Sequence, residues 1–248
     1  MQQVWVGYGE GARLIDLPAA DEELLPGVMW GCASVPFSPA YWAARCAWPA
    51  ETMPTFVTRD GSLAEEVGFC LLGGFGIRYE INALAFERLR DHGAFDLELP
   101  FSIELITELL EAPLDFGGRA IRYRFPRQRA RRISAMRENL REAELLMLSA
   151  PDLRDALQAL EGVGPKTASW VVRNLLDSDD VAILDVHIIR VCQRAGIFPA
   201  EISLPRDYAA LEARFLDFAE RAGVRSSLLD AVMWAEARTV PPHVWALT

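Results

Sequence analysis

A helical hairpin is predicted for residues 153–176, with the sequence LRDALQALEGVGPKTASWVVRNLL. Gly162 and Gly164 permit the unusual backbone dihedral angles of a tight turn, and Pro165 suits the first position of the second helix. The exposed backbone N–H groups at the start of that helix form a site for an anion. Because glycine turns also join helices for structural reasons alone, the turn leaves both interpretations open.

Lys166 falls in the first turn of the second helix, and it is the single lysine beside 24 arginines in a chain of 248 residues. A lysine ammonium group can lose its proton when it is desolvated or crowded by other positive charge, and the free amine is then a nucleophile. An arginine guanidinium group keeps its proton in proteins. Lys166 is therefore a candidate nucleophile, although an arginine-biased composition that leaves one lysine by chance explains the count equally well.

Positive charge is concentrated between residues 119 and 141, a segment with nine arginines and one acidic residue, Glu138. The rest of the chain is acidic, because the net charge of the whole chain is −10. Clustered arginines bind nucleic-acid phosphates by forked hydrogen bonds and by releasing counterions. The segment therefore predicts a nucleic-acid partner, and a solvated helix face with carboxylate partners elsewhere is the alternative.

Helical periodicity dominates from Ser62 onwards. Apolar residues recur at three- and four-residue intervals in LAEEVGFCLLGG, YEINALAFERLRDHG and FSIELITELLEA, and again in the segments beyond residue 149. The N-terminal residues differ, because Gly and Pro interrupt the short β-prone pieces QVWVGY, ARLIDL and TFVT. We therefore predict a mainly α protein, with a small β-containing N-terminal cap at residues 1–58 and a helical domain at residues 59–248.

The cysteines and the N-terminal sequence exclude several classes of protein. Four cysteines lie far apart without a CxxC pair: Cys32, Cys46, Cys70 and Cys192. This spacing suggests neither a zinc site nor a disulfide framework, and buried free thiols are expected. The first residues, MQQVWVGYGEG, lack a basic region followed by an apolar one, and no segment has the long uncharged stretch of a membrane helix. We predict a soluble, cytoplasmic protein with no membrane partner.

The pattern L-x-G-V-G-x-K-T-A at the hairpin resembles the helix-hairpin-helix (HhH-GPD) DNA glycosylase superfamily, and most of all the 8-oxoguanine DNA glycosylases that are also lyases. In that family the hairpin backbone, here Gly162 and Gly164, grips a DNA phosphate, often with a bound Na⁺ or K⁺ ion. A lysine at the position of Lys166 is the family's catalytic nucleophile. Nineteen positions later, VAILDVHIIR resembles the segment that carries the family's catalytic aspartate, matched by Asp185, and a phosphate-contacting histidine, matched by His187. Taken alone, Asp185 would be an ordinary helix N-cap.

The segment DAVMWAEAR resembles a wall of the family's damaged-base pocket. Trp234 matches an aromatic residue that stacks on the extruded base, and Asp230 falls where a glutamine normally reads the base edge. Trp170 matches a small residue on the opposite face of the base. Because a carboxylate accepts hydrogen bonds from guanine and from cytosine, the resemblance does not determine which base is excised. Core packing is the alternative role for both tryptophans.

Two further segments resemble DNA-contacting parts of the family, and the likeness covers about residues 62–240. The segment LLGGFGIRYEINALAFERLR resembles the helix–loop–helix that fills the gap left by the extruded base, with Arg78 and Tyr79 as candidates for the wedge and for the contact with the partner base. The arginine-rich segment corresponds to a stretch that reaches DNA. Its candidate phosphate contacts are Arg127, Arg129, Arg131 and Arg132.

The resemblance implies a monomeric bifunctional DNA glycosylase/AP lyase, associated with the nucleoid. It would excise a damaged purine from double-stranded DNA in base excision repair, and 8-oxoguanine is the expected substrate. No iron–sulfur cluster is expected, because the endonuclease III branch uses four closely spaced cysteines and Cys192 alone cannot supply one. Two alternatives stay open: a glycosylase for another modified base, such as a modified cytosine in foreign DNA, and a non-catalytic HhH DNA-binding protein.

Overall fold

The computed structural model describes residues 1–48, 61–74 and 76–241. Within these residues the protein is mainly helical, and its six short strands form three separate two-stranded antiparallel sheets. The strands are β1 (Gln2–Val6), β2 (Arg13–Leu17), β3 (Glu23–Leu25), β4 (Val28–Met29), β5 (Leu114–Phe116) and β6 (Arg119–Ile121). The predicted mainly α fold with a small amount of β structure near the N-terminus is confirmed.

The helices supply both the core and the candidate site. In chain order they are α1 (Pro39–Cys46), α2 (Leu63–Leu72), α3 (Tyr79–Asp91), α4 (Ile103–Glu111), α5 (Pro126–Asn139), α6 (Glu142–Leu145), α7 (Ala150–Leu157), α8 (Pro165–Leu176), α9 (Val186–Arg194), α10 (Tyr208–Arg221) and α11 (Ser226–Ala237).

The described residues form two compact units, and the first contains residues 1–48 and 177–241. Helix α11 packs against α1, α9 and α10, around a core that includes the fully buried Trp42, Phe215 and Phe218. The N-terminal residues therefore share a core with the C-terminal helices. The predicted domain boundary after residue 58 and the predicted strand TFVT lie outside the described residues.

The second unit contains residues 61–74 and 76–176. Its central helix is α2, which packs against α3, α5 and α8 through buried side chains such as Leu63, Val67 and Leu71. Helix α2 begins where the sequence S-x-x-E forms a capping box: the Ser62 hydroxyl accepts from the Glu65 N–H, and the Glu65 carboxylate accepts from the Ser62 N–H. Helices α7 and α8 pack against each other as the predicted hairpin.

Strands β5 and β6 form a hairpin that the sequence did not predict. Strands of three residues give too little alternation to be recognised, and Gly117 and Gly118 mark only the turn between them, where both take positive φ angles. The arginine-rich segment consequently begins in β6 and continues along α5.

Candidate functional site

The hairpin turn between α7 and α8 is held by apolar side chains and by one backbone hydrogen bond. Leu160 and Val163 are buried, and the Val163 N–H donates to the Leu160 carbonyl at 3.1 Å. Gly162 has a φ of +86°, which favours glycine, and Pro165 takes the first position of α8 as predicted. The prediction for Gly164 was wrong in one respect, because Gly164 does not take a positive φ angle.

The two glycines of the turn have different surroundings. A Cβ atom on Gly162 would lie 2.5 Å from Nε and 2.6 Å from Cδ of Arg132, so this arginine covers one face of the turn. A Cβ atom on Gly164 would meet nothing within 4 Å. Gly162 is therefore required by the fold, whereas Gly164 leaves backbone open at the start of α8, where a phosphate would bind.

We expect alanine substitutions at these two glycines to separate folding from DNA binding. Gly162→Ala should lower the free energy of unfolding by at least about 1–2 kcal/mol, because alanine at this φ is strained and its methyl group overlaps Arg132. Gly164→Ala should change stability by less than about 0.5 kcal/mol. It should nevertheless weaken DNA binding roughly tenfold by keeping a phosphate from the N–H groups. Urea unfolding and fluorescence anisotropy with duplex DNA measure the two quantities, and equal DNA affinity in Gly164→Ala and wild type would argue against this phosphate site.

Lys166 lies in the first turn of α8, over an aromatic cluster. Its Nζ atom is 5.6 Å from the ring centroid of Trp170, which is one helical turn further along. The ring edge of Trp170 meets Phe69 at a centroid distance of 5.9 Å, and Phe69 also contacts Tyr79 and Phe86. The structure thus brings together three residues that came from two separate motifs, namely Lys166, Trp170 and Tyr79.

Cys70 on α2 is a second potential nucleophile near Lys166, and its environment makes it inert. Burial raises the pKa of the Cys70 thiol well above its ordinary value, and the negative charge of Glu66 raises it further. The positive charges of Lys166 and Arg173 oppose this effect, but burial is the larger cause. A neutral, buried thiol is a poor nucleophile, so Lys166 stays the better candidate nucleophile of the two.

Asp185 caps α9, in agreement with the simplest interpretation of its position. Its Oδ1 atom accepts hydrogen bonds from the N–H groups of His187 at 2.8 Å and Ile188 at 3.0 Å. Its Oδ2 atom makes no hydrogen bond to a described residue. A cap and a reactive carboxylate are therefore compatible in Asp185, because each role uses a different oxygen. His187 follows in the first turn of α9 and is partly buried, and its Nδ1 atom has no hydrogen-bond partner among the described residues.

Asp230 is buried within the first unit, and its predicted contact with the base stays a prediction. Its side chain is 3% exposed, and its Oδ2 atom accepts a hydrogen bond from the Ile183 N–H at 3.1 Å. Trp234, one turn further along α11, is partly buried, and the guanidinium carbon of Arg238 lies 4.7 Å from its ring centroid. Trp234 stays a candidate for stacking on a base, while the carboxylate of Asp230 is engaged inside the unit.

Arg78 and Tyr79 lie at the exposed start of α3. Arg78 is the N-cap residue, and its guanidinium carbon lies 4.7 Å from the ring centroid of Phe116 at the end of β5. Tyr79 is 46% exposed. This exposure fits the predicted contacts with DNA, which stay predictions.

The arginines of α5 divide into exposed and structural residues. Arg127 and Arg131 are exposed, and Arg127 forms a 2.9 Å ion pair with Glu111. Arg129 is buried at 8% exposure and makes a side-chain hydrogen bond with Tyr123, and its predicted contact with phosphate stays a prediction. Arg132 lies against Gly162, which couples α5 directly to the hairpin turn.

Phe125 is a candidate contact that sequence analysis missed. It precedes Pro126 at the start of α5, is 44% exposed, and has left-handed backbone angles, with φ 64° and ψ 43°. A strained, exposed aromatic residue in a basic segment is typical of a functional position, and proteins that bend DNA insert such side chains between bases. The one-letter sequence held no signal for it, because backbone strain at a phenylalanine depends on the fold.

Metal-binding clusters and membrane-spanning helices are both missing from the described residues. Among residues 1–48, 61–74 and 76–241, no three His, Cys, Asp or Glu side chains are grouped as metal ligands. None of the helices in the same ranges combines the length and the apolar character that crossing a bilayer requires.

A mainly helical fold with a glycine-turned hairpin, and with a lysine in the first turn of the hairpin's second helix, is typical of the helix-hairpin-helix DNA glycosylases. The family model for 8-oxoguanine DNA glycosylase (Ogg-HhH) matches residues 58–224, and the chain belongs to this family.

Solved structures agree with this membership. The 8-oxoguanine DNA glycosylase of Thermotoga maritima is 26% identical with a TM-score of 0.55, over 71% of this chain and 81% of that one. The 8-oxoguanine glycosylase/lyase of Methanocaldococcus jannaschii, solved in complex with DNA that contains 8-oxoguanine, is 25% identical with a TM-score of 0.54, over 70% and 79% of the chains. An endonuclease III trapped as a covalent intermediate with DNA is 20% identical with a TM-score of 0.54, over 78% and 81%, and shows the shared fold alone.

Proposed function

We propose that this protein is a bifunctional DNA glycosylase and AP lyase of base excision repair, and that its substrate is 8-oxoguanine in duplex DNA. The observation that carries the proposal is Lys166, an amine in the first turn of the hairpin's second helix, inside the region that matches the 8-oxoguanine DNA glycosylase model. A relative of this family is known in complex with DNA that contains 8-oxoguanine.

The reaction begins with extrusion of the nucleotide, because a base inside a duplex is out of reach. The open N–H groups near Gly164 and the exposed arginines of α5 hold the phosphates. The neutral amine of Lys166 attacks the sugar C1′ while the glycosidic bond breaks, and the bonding electrons leave with the base. The base takes up the proton that the attacking amine loses. The C1′–O4′ bond of the sugar then breaks and O4′ is protonated, so the opened sugar carries the Schiff base. β-Elimination cleaves the DNA on the 3′ side.

Asp185 supports this reaction with the oxygen that does not cap α9. A carboxylate stabilises the positive charge that develops on the sugar and assists proton transfers around the amine. It cannot replace Lys166, because a carboxylate forms no Schiff base. The two residues therefore have separate roles, which separate substitutions can test.

A monovalent cation at the hairpin stays part of the proposal. Backbone carbonyl oxygens are suitable ligands for Na⁺ or K⁺, and the open space beside Gly164 would leave room for such an ion at the turn. Such an ion would add positive charge for the phosphate. We also propose that the enzyme acts as a cytoplasmic monomer without an iron–sulfur cluster.

A panel of duplexes, each with one lesion, tests the substrate. The panel contains 8-oxoguanine opposite each of the four bases, uracil, a modified cytosine and undamaged DNA, and borohydride traps the Schiff base. We expect excision and trapping with 8-oxoguanine at least about tenfold above every other duplex, which corresponds to about 1.4 kcal/mol of discrimination.

Each other outcome has a clear meaning. Excision of the modified cytosine alone would show that a modified cytosine, and not 8-oxoguanine, is the substrate. Tight DNA binding without excision or trapping on any duplex would favour the non-catalytic DNA-binding protein.

A further inference from the structure

Residues 181–184, which lead into Asp185, are buried but belong to neither a helix nor a strand. Their backbone N–H groups therefore have no regular partner and need another acceptor. Three side chains from α10 and α11 provide it. The Glu212 carboxylate accepts from the Ala182 N–H at 2.9 Å, and the Asp230 carboxylate accepts from the Ile183 N–H at 3.1 Å. The Tyr208 hydroxyl accepts from the Leu184 N–H at 3.3 Å and donates to the Ala182 carbonyl at 2.7 Å.

We call Tyr208, Glu212 and Asp230 the 182–184 clamp, because they bind the backbone of residues 182–184. They are unusual for the core of a small protein. Tyr208, Glu212 and Asp230 are 3–5% exposed, and two of them are carboxylates. Burying a carboxylate is costly unless it is well hydrogen-bonded, and hydrogen bonds to a charged acceptor are stronger and more directional than neutral ones. Apolar residues would fill the same space but would leave the N–H groups of residues 182–184 without acceptors. The clamp therefore fixes the backbone of this segment at successive residues.

Asp185 is the residue that this fixed backbone presents. Its own N–H donates to the Ile183 carbonyl at 3.0 Å, and its Oδ1 atom is held by the first turn of α9. Hydrogen bonds hold both the segment before Asp185 and the first turn of the helix after it, so the position of the Asp185 side chain is constrained from both sides. Positioning of this kind matters for catalysis, because a displacement of about 1 Å can lower a rate on the order of 100-fold.

We propose that Tyr208, Glu212 and Asp230 are positioning residues that set the geometry of Asp185 for the reaction. The inference rests on the proposed function, because it assigns these residues a purpose only if Asp185 takes part in catalysis. It also gives Asp230 a role that differs from contact with the base.

A double-mutant cycle with Asp185→Asn tests whether Tyr208 acts through Asp185. Tyr208→Phe should lower the single-turnover excision rate on 8-oxoguanine DNA roughly tenfold, with DNA affinity unchanged, because it removes only the hydroxyl. In the Asp185→Asn background, Tyr208→Phe should lower the excision rate less than about twofold, because the effects of two substitutions that act through one group are not additive. An equal loss in both backgrounds would overturn the proposal.

Tyr123→Phe is the matched control. Tyr123 lies in the second unit and is also buried, and its hydroxyl donates to the backbone carbonyl of Leu72 in the same unit. The substitution removes a comparable hydrogen bond, so it should have the same effect on the rate in both backgrounds. If Tyr123→Phe also lowered the rate in the wild-type background but not in the Asp185→Asn background, the coupling would not be specific to Tyr208, and the proposal would be overturned as well.

Substitutions of Asp230 separate positioning from base recognition. Asp230→Asn keeps an oxygen that accepts from the Ile183 N–H, so its excision rate should stay within about threefold of the wild-type rate. Asp230→Ala removes this acceptor, so its excision rate should be roughly tenfold or more below the wild-type rate. The order of preference in the lesion panel should be the same for wild type and Asp230→Asn. A changed order would show that Asp230 reads the base and would overturn its positioning role.

Hydrogen exchange tests the clamp without reference to activity. The amides of residues 182–184 should exchange at least about tenfold faster in Tyr208→Phe than in wild type, and at the wild-type rate in Tyr123→Phe. Unchanged exchange in Tyr208→Phe would overturn the clamp. If wild type excised no lesion while the exchange result held, the proposed function would fail and the clamp would stand as a feature of the fold alone.

Discussion

Lys166→Gln should abolish borohydride trapping on 8-oxoguanine DNA and lower strand cleavage on the order of 1000-fold or more. The physical reason is that glutamine has no amine to attack the sugar, and no other side chain in the 248-residue chain can form a Schiff base with a sugar aldehyde. The N-terminal amine is the one competing group, so any residual adduct has a single origin. Gel separation of the trapped adduct and of the cleaved strand measures both steps.

Lys166→Arg is the sharper companion to this substitution. A guanidinium group keeps the positive charge over the ring of Trp170, and it preserves the attraction to DNA, but it cannot act as an amine nucleophile. DNA affinity in Lys166→Arg should therefore stay close to the wild-type value while trapping is lost. An adduct of wild-type yield in either variant would show that another group is the nucleophile.

Local sequence patterns were sufficient for the parts of the protein that local interactions determine. The hairpin, its first-turn lysine and the cap of α9 each depend on a few consecutive residues, because glycine turns, Pro165 and Asp185 act through their own neighbours. Helices α2 to α4 and α7 to α11 followed from apolar periodicity in the same way, whereas α5 and α6 were not predicted. Lys166 at the start of α8 and Asp185 at the start of α9 were consequently predicted on the correct elements.

The directions of individual side chains depend on tertiary contacts, and there the sequence was insufficient. Arg127 and Arg129 are two residues apart in one run of arginines, yet one is exposed and the other is buried beside Tyr123. Arg137 of the same run donates to the carbonyls of Ala94 and Asp96 instead of facing solvent. Composition identifies such a run as basic, but the packing of α5 decides which charges remain for DNA.

Asp230 illustrates the same limit at the site itself. Resemblance placed it on the wall of a base pocket because it occupies the position of a base-reading glutamine. In the fold its carboxylate accepts a hydrogen bond from the Ile183 N–H, which has no partner in a helix or strand, and this contact was not predicted. The buried backbone N–H groups of an irregular segment need hydrogen-bond acceptors, and only the three-dimensional structure shows which side chains provide them.

Asp185→Asn should lower the single-turnover excision rate on the order of 100-fold while leaving the protein as stable as wild type. Asparagine is as good an N-cap as aspartate, since its side-chain oxygen can still accept from the N–H groups of His187 and Ile188. It removes the negative charge that stabilises the developing positive charge on the sugar. Rapid-quench kinetics on 8-oxoguanine DNA and thermal unfolding measure the two effects.

Asp185→Ala shows which effect belongs to the cap. Alanine removes both the charge and the cap, so it should lose about 1 kcal/mol of stability in addition to the catalytic loss. If the excision rate followed stability, with Asp185→Asn fully active and Asp185→Ala impaired, Asp185 would be a helix cap and nothing more. A similar loss of rate in both variants, with a loss of stability in Asp185→Ala alone, would separate the two roles and assign them to the two oxygens of one carboxylate.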